Sequence, residues 1–502
     1  MAGFRTLLAT TGLWLALSAT TLSMASELRF GVSDLPRSQG NPFTESGTPS
    51  GYTWAALFDG LTRLDAEGKL VPALAEDWEQ VDAHTWRFQL RQDVRFTNGE
   101  EFNAAAVAAT LAWLQSPEGR STLIGNEVRG IVDVTTRGDY RIDITTATPD
   151  AILPQRMSAV MIVAPGAWQR LGPEGFAREP AGTGPYRMAE WDNRRRRVRL
   201  ERHPESWRPP SVETLHLVAL PDNAVRVQAL RSGEVDLTLV DIEDIEFLAR
   251  QGFRVLHRPS MQVMALAFNT AREPPSPVRD LRVRQAINLA VNRQAIAEVL
   301  MQGLVAPAGQ PAARITPGHN PELPAYPYDP ERARALLAEA GWEHGLELRI
   351  EAVTGTLPGA SQIFQVVVQD LRRVGVNATL QLRPFSAWLR DYLGGTTRAD
   401  LFSLPWTAAP YNDPLRPIET YSCALRAAFF CEPEVMPAIA EIAAELDPER
   451  RTTLLQDLAV TLHDIAPALF LIEQIVIYAT NERVEHLEIA NRTPVYDTLR
   501  SR

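Results

Sequence analysis

Residues 329–353 read DPERARALLAEAGWEHGLELRIEAV, and residues 360–383 read ASQIFQVVVQDLRRVGVNATLQLR. Asp329 is a helix cap followed by proline at the first helical position. The helix that starts there stops at Gly341, a residue suited to a left-handed end. Leu346, Leu348 and Ile350 then alternate as a strand. Ile363, Val366, Val367, Leu371 and Val374 share one helical face, and Gly375 closes that helix. Val376, Ala378 and Leu380 alternate again. Helix, strand, helix, strand in this order predicts a parallel or mixed sheet with helices packed on it.

The pattern extends in both directions. Asp280 caps a helix whose Val283, Ala286, Ile287, Ala290 and Val291 fall on one face. Leu469 to Ala479 reads as a buried strand. Towards the amino end, Glu27 to Val32 reads as a strand, and Tyr52 to Leu64 as a helix running into a turn. Trp86, Phe88 and Leu90 alternate within a strand from Thr85 to Leu90, and Asn98-Gly99 marks a turn. Asn103 caps an alanine-rich helix, Ala104 to Leu114, and Arg141 to Thr145 alternates. Tyr186 to Glu190 and Arg195 to Arg202 read as paired strands around Asp192-Asn193. No internal repeat is present, which argues against a solenoid.

At 502 residues the chain exceeds one ordinary hydrophobic core, so two or more lobes are expected. Its composition, 45% hydrophobic and 22% charged, is that of a globular protein. A net charge of -11 makes nucleic acid a poor partner, because phosphate backbones are bound through lysine and arginine. Arg5, the apolar run Leu7 to Leu17, and Ser23-Met24-Ala25 have the pattern of a secretory signal peptide cleaved after Ala25. The run is short for a membrane span, which needs roughly 20 residues. No cysteine lies near the cleavage site, so no lipid anchor is expected and the mature chain should be free in a periplasm. An oxidising compartment favours pairing the two cysteines, Cys423 and Cys431; two free thiols are the alternative.

Chemistry-bearing motifs are few. The eight histidines form no HExxH and no helix-face pair, and there is no Cys-x-x-Cys, so a zinc site has little support. GxSxG, Walker and kinase signatures are missing. Gly182-Thr183-Gly184 is followed by Pro185, with no third glycine, so it does not read as a dinucleotide loop. The basic cluster Arg194 to Arg197 reads as a solvated face rather than an anion site. Residues 405–414, PWTAAPYNDP, follow a predicted strand from Asp400 to Leu404. A rigid aromatic loop at a strand's carboxyl end is where ligands sit in open α/β sheets; a structural turn with a packed tryptophan is the alternative.

Several ordered stretches resemble the peptide/nickel branch of extracellular solute-binding proteins, family 5, which serve ATP-binding-cassette (ABC) importers. They are Phe58-Asp59-Gly60-Leu61-Thr62, Asp93-Val94-Arg95-Phe96-Thr97-Asn98-Gly99-Glu100 and Gly182-Thr183-Gly184-Pro185-Tyr186. Leu266-Ala267-Phe268-Asn269-Thr270, Val283-Arg284-Gln285-Ala286-Ile287-Asn288 and Ala340-Gly341-Trp342 continue the match over nearly the whole mature chain. The resemblance implies an α/β periplasmic binding protein (type II, the large cluster) with mixed sheets flanked by helices and a ligand cleft between two hinged lobes. The implied layout is a signal peptide over 1–25, lobe I over 26–265 with an extra subdomain at about 72–180, lobe II over 266–478, and a return to lobe I over 479–502.

The resemblance also implies a monomer and a binder rather than an enzyme. It implies no cofactor other than a metal-chelate carried as transported ligand, and as partners a small-molecule solute and the permease subunits of the importer. Peptide binders of the family commonly carry an aspartate three residues after the pocket tryptophan, to pair with the peptide amine. That position here is Ala409. Trp406 followed by Ala409-Pro410-Tyr411 and Asp413-Pro414 looks closer to nickel binders, which hold a metal wrapped in a small chelator, so a metal-chelate is expected, with Trp406, Tyr411 and Asn412 as candidate ligand-binding residues, and a short peptide is the alternative. No histidine lies between His344 and His463 to ligate a metal. Arg416, and Arg120 near a position where nickel binders carry an arginine, are candidate anion holders; plain surface arginines are the alternative. A secreted hydrolase is the rival from another class, and a clustered Ser/His/Asp or metal triad would mark it.

Overall fold

The computed structural model describes residues 26–353, 359–425 and 427–502. The expected signal peptide, residues 1–25, lies outside the described residues.

Two long strands, Arg254–Phe268 and Ala468–Thr480, run antiparallel inside an 11-stranded mixed sheet. Their register joins Arg254 to Thr480 at one end and Ala267 to Ala468 at the other. All residues of Ala468–Thr480 are buried, as an apolar run covered on both faces should be. Beyond one edge of this pair lie Leu401–Ser403, Leu346–Val353 and Val376–Arg383. Beyond the other lie Leu237–Leu239, Glu27–Val32, Thr214–Ala219, Arg197–Arg202 and Tyr186–Asp192.

Each side has its own core. Leu28, Phe30, Leu215 and Leu217 pack with Val476 and Tyr478. Leu266, Ile287, Ile350 and Val367 pack with Leu469 and Leu471. The strand Ala468–Thr480 therefore serves both halves: Val476 and Tyr478 enter the first core, while Leu469, Leu471, Ile475, Ile477 and Ala479 enter the second. A separate antiparallel sheet, Ala75–Gln80, Thr85–Leu90, Arg141–Thr146 and Ile131–Thr136, is attached to the first half.

The expected α/β architecture follows from local chemistry. The side chain of Asp329 accepts from the Arg332 amide and starts Pro330–Glu339; Gly341 ends it at φ +86°. Leu346–Val353 and Val376–Arg383 pair in parallel, Leu346 opposite Val376, joined by the helix Ala360–Arg373. That helix buries Ile363, Phe364, Val367 and Leu371, each contributing about 1.5–3 kcal/mol if fully withdrawn from water. Asn103 and Asp280 likewise cap Ala104–Leu114 and Leu281–Ala290.

Two elements differ from the sequence expectation. The helix expected from Tyr52 to Leu64 covers only Gly51–Leu57, and Thr62–Leu64 is a strand paired with Leu70–Pro72. The break follows from close packing: a Cβ on Gly60 would lie 2.4 Å from the Met157 carbonyl oxygen. The strand expected from Arg195 starts at Arg197, because Asp192 Oδ1 accepts from the amides of Arg194 and Arg195 and folds them into a turn. Arg196 pairs with Asp34 at 2.6 Å on the surface, so the basic run is a solvated turn.

The chain end returns to the first half. Tyr496 donates its hydroxyl to the Tyr52 carbonyl at 2.8 Å, and Asp497 accepts from Arg208 at 2.8 Å. Gly184 permits this region to close up, since a Cβ there would meet the Leu57 carbonyl carbon at 2.5 Å. Among the described residues no helix is long and apolar enough to cross a membrane.

Candidate functional site

The halves enclose a cleft of about 1230 Å³. Tyr52, Arg63 and Arg208 line it from the first half; Tyr392, Arg416 and Tyr421 line it from the second. No histidine or cysteine lines it among the described residues, and no cluster of three potential metal ligands occurs among them.

The 405–416 loop is the meeting point of the two halves. Asn412, at φ +53°, donates to the carbonyls of Gly68 and Ile315, both at 3.0 Å. The Tyr411 hydroxyl donates to Glu127, and Arg156 Nη1 lies 3.3 Å from that hydroxyl. Burial, and then the Glu127 carboxylate, push the Tyr411 phenol well above its ordinary value, so it stays a donor. Arg416 reaches Glu127 Oε1 only at 3.3 Å, and its Nη1 lies 3.5 Å from the Thr407 carbonyl.

The sequence-predicted residues separate in space. Trp406, on the short strand Trp406–Thr407, Tyr411 and Asn412 in the loop after it, and Arg416, on the helix Leu415–Thr420, share one segment, but only Arg416 lines the cleft. Trp406 is fully buried, with its ring 3.9 Å from that of Tyr421 and nearly parallel to it. It therefore backs a wall residue instead of forming the wall. Tyr411 and Asn412 are buried in contacts between the halves. Arg120 is exposed on the turn Gly119–Ser121 and does not line the cleft. Cys423 and Cys431 are joined by a disulfide. Phe429, inside that loop, packs edge-on against Tyr421 at 5.1 Å.

Most of the cleft wall was missed, Tyr52, Arg63, Arg208, Tyr392, Tyr421 and Arg492 among it. Ile489–Ala490 and Thr493–Pro494 pair as a small hairpin, leaving Asn491 and Arg492 as its turn. Arg492 faces the cleft and donates to Gln262 Oε1 at 2.9 Å. Gln262 in turn donates to Thr407 Oγ1 at 3.0 Å. The flanking strands are too short for any sequence periodicity to reveal.

A family model, bacterial extracellular solute-binding proteins, family 5 Middle, matches residues 69–426. The chain belongs to this family. Among family-5 relatives, the glutathione-binding protein GsiB of Pectobacterium atrosepticum is 26% identical over 495 residues, 94% of each chain. The nickel-binding periplasmic protein of Escherichia coli K12 is 27% identical over 448 residues, 83% of each chain. NikA of Brucella suis in complex with Fe(III)-EDTA aligns at TM-score 0.82 and 24% identity, covering 95% of this chain and all of that one. The dipeptide-binding protein of Pseudoalteromonas sp. SM9913 in complex with Met-Leu aligns at TM-score 0.83 and 21% identity, with the same coverage. The fold is thus that of two-lobed periplasmic binding proteins. This family-5 chain is a substrate-binding protein of the class that serves ABC importers, and its relatives are binding proteins of transporters.

Proposed function

We propose that this protein captures a small solute in the periplasm, closes its two lobes over it, and presents it to the permease of an ABC importer. The preferred cargo is a metal held in a carboxylate-bearing chelator. The moving units are residues 26–265 together with 479–502 against residues 266–478, hinged on the two long strands. The carrying observation is the cleft: both halves wall it, Arg416 and Arg492 face it, and neither histidine nor cysteine lines it among the described residues. A metal entering such a cleft must bring its own ligands, and its chelator's carboxylates would meet guanidinium groups. The cleft's size, about 1230 Å³, exceeds the roughly 300–1,000 Å³ of ordinary small-molecule pockets and suits a chelate or a short peptide.

Short-peptide cargo is the second reading. Glu45 and Asp241 line the cleft, and their partners among the described residues are neutral hydroxyl and amide donors, so either could receive an ammonium. Against it stands Ala409 at the position where peptide binders carry an aspartate. Native mass spectrometry of protein purified from its own periplasm, before and after a chelator wash, separates the readings. A metal-dependent adduct supports the chelate. An adduct that persists and fragments into amino acids supports the peptide. No adduct in any preparation contradicts capture.

A further inference from the structure

Asn491 and Arg492 are the two residues of a tight hairpin turn, at φ +44° and +67°. A two-residue turn with both residues left-handed favours Asn-Gly, because only glycine occupies the second position without steric cost. Asparagine tolerates the conformation; arginine is poorly suited to it. The backbone there asks nothing of the side chain: the Arg492 carbonyl accepts from the Tyr478 hydroxyl at 2.7 Å, which glycine would do equally well. The Asn491 side chain fixes the turn by donating to the Pro410 carbonyl at 3.0 Å.

The Arg492 guanidinium lies at the cleft wall with one hydrogen bond, to Gln262, and no carboxylate within ion-pair distance among the described residues. The Gln262 to Thr407 bond continues this strip of wall to Arg416. Arg416 reaches Glu127 only at 3.3 Å, and that carboxylate already accepts from the Tyr411 hydroxyl and lies 3.6 Å from Arg156. Backbone strain of this kind clusters at ligand clamps and active sites, and here it sits at a residue whose guanidinium lines the cleft.

We propose that Arg492 is a specificity-determining residue of the cleft, receiving a carboxylate of the solute while Arg416 grips a second acceptor further along the same strip. A guanidinium suits this task because it meets a carboxylate through two parallel N–H donors. The assignment rests on the capture reading. The carboxylate could belong to a metal chelator or to a peptide; the chemistry at Arg492 is the same.

The test compares wild type with Arg492→Gly and Arg492→Lys, all purified from the periplasm in parallel and weighed by native mass spectrometry. Solute-free samples are then melted and titrated with glutathione and with Fe(III)-EDTA. Arg492→Gly should melt within a few degrees of wild type yet lose about tenfold or more of its affinity, the loss of one charge-assisted paired bond. Arg492→Lys should fall between, keeping the charge without the fork. Whichever probe shows the loss identifies the carboxylate source. Wild-type occupancy and affinity in Arg492→Gly would overturn the assignment and leave capture standing. A wild type that carries no solute and binds neither probe would overturn the capture reading, and this assignment with it. Should Arg492→Gly melt early, Arg492→Gln at similar side-chain length gives the same readout.

Discussion

Asp413 and Arg451 form a buried, two-bonded ion pair, with Nη1 to Oδ2 at 2.7 Å and Nη2 to Oδ1 at 3.0 Å. Asp413 also accepts from the Leu415 amide, and Arg451 Nε donates to the Ile442 carbonyl. The pair thus ties the loop at the cleft to the helix Pro448–Ile465. Removing one partner strands the other charge in a dry site. Arg451→Met should cost about 3–5 kcal/mol of stability, read as a lower denaturant midpoint. The double variant Asp413→Leu/Arg451→Met should lose less than the two single losses added together.

Arg293 is a buried cation without a carboxylate among its described partners. It donates to the carbonyls of Phe470, Asn288 and Val291 and lies over the Tyr326 ring at 5.4 Å. Burial pulls its pKa down to about 10, yet it stays charged at neutral pH. Arg293→Met would orphan these carbonyls and cost roughly 2–5 kcal/mol in denaturant unfolding. Arg293→Lys would recover only part, since an ammonium cannot reach several fixed acceptors as a planar fork does.

The Cys423–Cys431 disulfide closes a loop with a sequence separation of 8. Chain entropy limits its contribution to about 2.5 kcal/mol. Its second effect is local, because Phe429 in that loop backs the cleft residue Tyr421. Cys423→Ser/Cys431→Ser should lower the melting temperature by a few degrees and weaken solute binding, both measured on the periplasmic protein.

Much of the fold is legible in the sequence because caps and periodicity are local. Asn103, Asp280 and Asp329 each accept the amide expected of a cap. The helix at Tyr52 ends early for a reason no local pattern carries, the approach of the Met157 carbonyl to Gly60. The cleft is only partly legible. The aromatic composition of residues 405–414 points to the right loop, yet composition does not say which side chains turn inward, and Trp406 turns into the core. Arg120 carries only its position in the chain, and the fold leaves it on the surface. Arg492 reaches the cleft from the far end of the sequence, through a hairpin too short to leave a pattern.

Burial holds the pKa values of His203, His216 and His463 below their usual range. The unfolded chain therefore takes up protons first as pH falls through about 6.5, and stability is present above that value and lost below it. The melting temperature should fall between about pH 7.5 and 6. The His463 ring nitrogen Nδ1 lies 2.9 Å from the Gly309 carbonyl, so the neutral ring donates there. His463→Gln should flatten the slope, measured by scanning calorimetry across that range. A steeper slope would contradict the assignment.

Small-angle X-ray scattering on the protein stripped of its solute, and again after the solute is restored, tests the central claim most directly. Capture between two hinged halves predicts a contraction on restoring the solute, saturating with the occupancy read by native mass spectrometry. Superimposable scattering curves at full occupancy would contradict closure of the lobes over their cargo.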